Sequence, residues 1–170
     1  IGSAKAELVK AYNSHIIMNK TKLYAFNSII DLLKMAFCER EPHNNLFPAL
    51  LEFIESLKQD FSFTKYIDLE LEILAESGHT LQLNSCAVTG SRDDLYYVSP
   101  KSGRAVSKKA GADYANKLLK LPEFFISNAK IDREAIIDSF KLTSYFFERY
   151  VFLNKKPPTS RAVLMEHLCS

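Results

Sequence analysis

The sequence predicts a mainly α protein, a helical bundle with one small β-hairpin module inserted, and three observations lead there. Apolar residues recur at three- and four-residue steps over most of the chain, which is the spacing of one helix face. Glycine and proline are sparse, five and six in 170 residues, so breaks are few and elements long, unlike a many-stranded sandwich. Hydrophobic residues make up 47% of the chain, with twelve Phe and eight Tyr, enough for one continuous core in a chain of single-domain size.

A first helix is expected over residues 6–18, with Leu8, Val9, Tyr12, Ile16 and Ile17 apolar. Residues 22–37 are a stronger one, because Leu23, Phe26, Ile29 or Ile30, Leu33 and Phe37 make one stripe. Cys38 continues that stretch and is expected as a small core residue. Pro42 ends it. Asn44 or Asn45 is placed to cap a third helix to about residue 57, with Pro48 in its first turn, where a missing N–H costs nothing. A fourth helix runs over 64–77, stopped by Gly78.

Residues 79–111 differ in kind. Tyr96-Tyr97-Val98 and Arg104-Ala105-Val106 flank Ser99-Pro100-Lys101-Ser102-Gly103. Pro presets a turn and Gly accepts positive φ, so a β-hairpin is expected. Helices resume after Gly111, and Pro122 limits a short one. The longest spans about 132–154. Ile136, Phe140, Phe147 and Val151 line one side and Leu142, Tyr145, Phe146, Phe152 and Leu153 much of the rest, which predicts a central position in the bundle. Lys155-Lys156-Pro157-Pro158 ends it, and Thr159 or Ser160 caps a last helix through Leu168.

The net charge of +2 conceals a polarised chain. Residues 52–76 hold seven acids against two lysines, net −5; residues 101–120 hold six cations against Asp113, net +5; residues 141–161 reach net +4. Three scattered cysteines, Cys38, Cys86 and Cys169, make no disulfide framework and predict a reducing, cytoplasmic setting. No apolar run approaches the roughly 18–20 residues of a membrane span, and no signal peptide is visible.

The hairpin sits inside a second pattern. Positions 86 and 89 are two residues apart, as are 107 and 110, with seventeen residues between the pairs. That is the spacing of a four-cysteine zinc ribbon, but the residues are Cys86, Thr89, Ser107 and Ala110. Zinc takes four N, S or O donors in tetrahedral array. Thr89 and Ser107 are poor ligands and Ala110 is none, so no structural metal and no cofactor is expected. Leu81, Leu83, Val88, Tyr96, Val98 and Val106 would then have to supply the folding energy that a metal gives.

With these pieces in hand the chain resembles the RecO family of bacterial recombination mediators. The resemblance rests on Leu69-Glu70-Leu71-Glu72-Ile73-Leu74 followed by Gly78, on residues 83–90 around Cys86, on residues 97–106, on Leu118-Leu119-Lys120-Leu121-Pro122, and on Pro157-Pro158-Thr159-Ser160-Arg161. Glu39-Arg40-Glu41-Pro42-His43 with Leu46-Phe47 fits the family's early helices. Order and spacing together cover nearly the whole chain. The resemblance implies one helical C-terminal domain over 1–170 with a degenerate zinc-finger-like insert at about 79–111. It implies an OB-fold preceding that domain in family members, and none is visible in this sequence. It also implies work with RecR, and sometimes RecF, in loading RecA onto DNA coated by single-stranded DNA-binding protein (SSB), and in annealing strands. Two departures stand out. Three of the four zinc positions are replaced. Where many members carry arginine before the helix that receives the acidic SSB tail, this chain has Ile67 and Asp68, with Lys65 the nearest cation.

On this reading the chemistry is binding to single- and double-stranded DNA through phosphates, weak without the OB-fold. The expected contacts are Lys101, Arg104, Lys108 and Lys109 around the hairpin and Lys155, Lys156 and Arg161 near the C-terminus. Tyr96 and Tyr97 can stack bases, with one of the two facing outward because strand side chains alternate. Catalysis is not expected. There is no phosphate-binding glycine loop and no nucleophile motif, His15, His79 and His167 are scattered, and Glu70 and Glu72 point apart on a helix. The competing expectation is a helical protein-interaction adaptor, which needs only an exposed apolar groove between helices. A DNA binder should instead bring the 101–109 and 155–161 cations onto one surface.

Overall fold

The computed structural model describes residues 3, 5–8, 11–153 and 155–170, with the backbone alone at Asn13 and Ser14. The two longest early helices form where the apolar period is strongest. α2 (Lys20–Ala36) begins at Asn19, whose side chain accepts the Lys22 N–H at 3.1 Å, a standard N-cap. Its buried face is Ala25, Ser28, Ile29 and Leu32, flanked by half-buried Leu23, Phe26, Leu33 and Phe37. α4 (Phe63–Glu76) is capped by Ser62. It ends as expected at Gly78, with φ +87°. The Gly78 N–H donates to the Ala75 carbonyl and the His79 N–H to the Leu74 carbonyl, which closes the last turn and fixes where His79 stands.

α1 (Asn13–Ile17) is far shorter than the expected 6–18. Residues 6–8 are not helical, and Val9 lies outside the described residues. Of the apolar set Ile16 is buried, but Leu8 is 82% and Ile17 63% exposed, so little packing supports a longer helix. α3 (Leu46–Ser56) starts at Asn45, whose side chain makes no capping bond. Cys38 lies past the end of α2 and is exposed, not in the core. α6 (Arg133–Phe147) begins at Asp132, whose side chain accepts the Ala135 N–H, and runs into a π-helical turn over Glu148–Phe152. Leu153 then turns left-handed; Asn154 lies outside the described residues. Phe140, Leu142, Phe146, Phe147 and Phe152 are all buried, as a central helix requires. α7 (Thr159–Cys169) has no side-chain cap, because its N-cap position is Pro158 and not Thr159 or Ser160; the Ser160 hydroxyl donates to Asp31 of α2 at 2.7 Å. α7 packs most extensively on α2.

Between α4 and α6 lies the small module. β1 (Leu95–Val98) pairs antiparallel with β2 (Ala105–Ser107), giving the expected hairpin. A third strand, β3 (Leu119–Lys120), pairs with the other side of β1, giving the order β2-β1-β3. β3 was not expected, since two residues carry no period. After β2 come α5 (Lys108–Gly111) and a 3₁₀ turn over Ala112–Lys117. Gly111 is required where it stands: a Cβ there would lie 2.6 Å from Tyr97 Cδ2 and 2.9 Å from Leu118 Cδ1.

A buried polar lock ties α4, α6 and α7 together. Glu70 is wholly buried. Its carboxylate accepts hydrogen bonds from the Tyr66 hydroxyl (2.6 Å), the Thr143 hydroxyl (2.7 Å) and Arg161 Nε and Nη2 (2.7 and 3.0 Å). Arg161 Nη1 reaches Ser144 Oγ at 2.6 Å, and Tyr66 shares a further bond with Ser28 of α2 at 2.8 Å. Burial, reinforced by the Glu70 carboxylate, pushes the Tyr66 phenol well above its ordinary value. Arg161 is therefore not a DNA contact: it is 6% exposed and paired inside the bundle. A fully charged guanidinium with a matching buried carboxylate is held by that pair, not by solvent.

Candidate nucleic-acid interface

The module is organised around Cys86. Its Sγ accepts the Ser107 N–H at 3.3 Å and its thiol donates to Ser107 Oγ at 3.5 Å. Gly90, with φ +73°, turns the chain so that its N–H donates to the Cys86 carbonyl, and the Cys86 N–H donates to Ser91. Burial pushes the thiol up, but its hydrogen bonding with the Thr89 side chain, the Ser107 backbone and hydroxyl, and the Thr89 backbone outweighs that and brings it down to about 6. Cys86, Thr89 and Ser107 are thus brought together, and Ala110 follows in the first turn of α5. One enclosed thiol, two hydroxyls and a methyl do not fit tetrahedral zinc. Among the described residues no group of three or more His, Cys, Asp and Glu could hold a metal ion. Leu83, Val98 and Val106 are buried in the module, whereas Val88, expected to help, is 70% exposed.

The cations fall into two groups, one on this module and one beyond the end of α6. Lys108 and Lys109 are exposed at the start of α5, just past β2. Lys108 Nζ lies 5.1 Å from the Tyr96 ring centroid. Lys101 is exposed at the opposite end of the hairpin, in the turn before β2. That turn rests on the end of α6: a Cβ at Gly103 would meet Leu81 Cδ2 at 3.0 Å and Phe146 Cε1 at 3.7 Å. Lys155 and Lys156, both exposed, follow α6 and its π-helical turn. Arg104 is half-buried, its Nε enclosed without a hydrogen-bond partner among the described residues. Lys101, Lys108, Lys109, Lys155 and Lys156 make no ion pair with a described acid. Lys58, Lys65 and Lys120 are neutralised by Glu55, Glu52, and Glu134 with Asp138.

Strand alternation does not decide the tyrosines. A bulge between Leu95 and Tyr97 makes Tyr96 the extra residue. Both rings are half-buried and meet edge to face at 4.8 Å, Tyr97 closing on Gly111 and Tyr96 facing Lys108. Near the start of α4, Ile67 is buried, Asp68 exposed, and Lys65 is held by Glu52 at 2.7 Å, so Lys65 is not a free cation. Glu70 is buried and Glu72 exposed, which confirms that the two do not form an acidic pair.

A protein-family model described as "Recombination protein O C terminal" matches residues 19–158. The chain is 50% identical over 169 residues to the DNA repair protein RecO of Rickettsia bellii (strain OSU 85-389), covering 99% of this chain and 70% of that protein. The chain belongs to the RecO family. RecO proteins of Rickettsia canadensis (strain McKiel) and Rickettsia felis (strain ATCC VR-1525 / URRWXCal2) are 48% and 47% identical over the same length, covering 70% and 71% of those proteins. No solved structure matches. Membership of the RecO family places the chain in DNA repair and recombination. Among the described residues, no helix is long and apolar enough to cross a membrane.

Proposed function

We propose that this chain is one helical domain of a cytoplasmic recombination mediator, with the 79–111 module as its insert, and that it acts by binding, not by bond-making. It contacts single- and double-stranded DNA and works with RecR to help load RecA onto SSB-coated strands. The observation that carries this reading is the set of exposed, unneutralised cations Lys101, Lys108 and Lys109 on one small module, with Lys155 and Lys156 exposed beyond the end of α6. Such cations bind phosphates and release counterions, so affinity falls steeply with salt. Fluorescence anisotropy with single-stranded and duplex oligonucleotides over a salt series tests it. Binding that is absent, or independent of salt, would refute it.

The acidic SSB tail is a further proposed ligand. The region before residues 69–74 is poorly suited to it, since Lys65 is already paired, so the tail is expected to meet the free cations of the module instead. A protein-contact reading has its own support on the early helices. Leu33, Phe37, Leu46, Phe47 and Leu50 line an apolar groove of about 330 Å³, and Phe47 is 62% exposed. This is the kind of surface an adaptor uses. We assign partner-protein contact to it and DNA to the module.

A further inference from the structure

Where the hairpin turn meets the end of α6, three rings lie nearly parallel. His79 stacks on Tyr150 with centroids 3.8 Å apart at 16°, and Tyr150 stacks with buried Phe146 at 6.3 Å and 16°. Phe146 is also the ring under the turn glycine, Gly103. His79 and Tyr150 are half-buried. Arg149 is exposed. Its guanidinium lies 5.5 Å from the Tyr150 ring centroid, and Nη1 donates to the Tyr145 hydroxyl at 3.2 Å. Lys101 stands in the adjoining turn and Lys155 and Lys156 just beyond the helix end, all exposed. Glu148 is the one acid on the Glu148–Phe152 turn.

We propose that the His79–Tyr150 stack beside Arg149 and Lys101 is a seat for an unpaired nucleobase, the base extending the rings while its phosphates meet the two cations. The combination is what single-stranded nucleic acid requires: a half-exposed aromatic stack beside positive charge. Several features preset it. The backbone of His79 is locked by its N–H bond to Leu74. Tyr150 lies on a π-helical turn, a local departure that frequently marks functional positions. Arg149 is oriented by Tyr145 and makes no ion pair with a described acid. A base in a duplex has both faces covered by its neighbours, so the seat discriminates for single strands, which phosphate contacts alone do not.

This inference rests on the DNA-binding reading, and the test separates the two. Anisotropy of the 170-residue chain is measured at one low salt concentration against a single-stranded oligonucleotide and an abasic strand of equal length. The base-bearing strand is expected to bind about tenfold more tightly, the low-to-middle range for one base–aromatic stack. His79→Ala should weaken the base-bearing strand by about tenfold and leave the abasic strand within about twofold; His79→Phe, which restores a ring, should recover most of the loss. Equal affinity of the unaltered chain for both strands would overturn the base seat and leave the phosphate reading standing. Binding of neither strand would overturn both.

Discussion

Removing the Arg161 side chain should strongly destabilise the protein, although on sequence grounds it reads as a surface DNA contact. In Arg161→Ala the wholly buried Glu70 carboxylate loses two of its four hydrogen bonds and its only ion-pair partner among the described residues, keeping the Tyr66 and Thr143 hydroxyls. Breaking one side of a buried pair costs about 3–5 kcal/mol, because a charge is left uncompensated. A domain of this kind has about 5–15 kcal/mol in all. At about 2–4 °C per kcal/mol for a chain of this size, the melting temperature should fall by about 6–20 °C. Urea titration followed by far-UV circular dichroism reads the loss as a lower midpoint. The double variant Arg161→Met with Glu70→Leu should recover much of it, since neither charge is then buried alone. A loss below about 1 kcal/mol, the size of an exposed ion pair, would refute the buried lock.

Gly111→Ala should destabilise by about 1–3 kcal/mol, the usual cost of overpacking, because the new methyl would overlap Tyr97 and Leu118; a neutral effect in the same titration would mean the α5–β1 packing is looser than described. Of the three thiols, exposed Cys38 should react with a thiol reagent within the mixing time, while buried Cys86 reacts only on unfolding; rapid modification of Cys86 in the folded chain would contradict its enclosure. Elemental analysis should find no stoichiometric zinc, and a chelator should leave the melting temperature unchanged, because the donor set does not suit the ion; one zinc per chain would overturn that expectation.

The sequence exposes α2, α4 and α6 because burial on one face leaves a long apolar period, and the hairpin because Pro100 and Gly103 mark its turn. It hides what depends on distant partners. A cation in the Pro-Pro-Thr-Ser-Arg stretch looks like any other near Lys155 and Lys156, and only the folded chain shows that Arg161 meets Glu70, 91 positions away. β3 is two residues long and borrows its regularity from β1, so no local pattern announces it. The bulge at Tyr96 defeats strict alternation for the same reason: the extra residue is fixed by pairing with β2, not by its own chemistry. Cys86, Thr89, Ser107 and Ala110 are findable by their spacing together with the hairpin between the pairs, whereas His79 and Tyr150 lie 71 positions apart, and nothing in either neighbourhood predicts that their rings stack.

The most direct test of phosphate binding at the module is the salt slope of single-stranded DNA affinity, measured for the unaltered chain and for Lys101→Ala/Lys108→Ala/Lys109→Ala. Each phosphate contact contributes about 0.7 to the slope of log K against log salt on single strands. Loss of three should flatten it by about two units while the fold is retained. An unchanged slope in the folded triple variant would show that DNA, if bound at all, is held elsewhere.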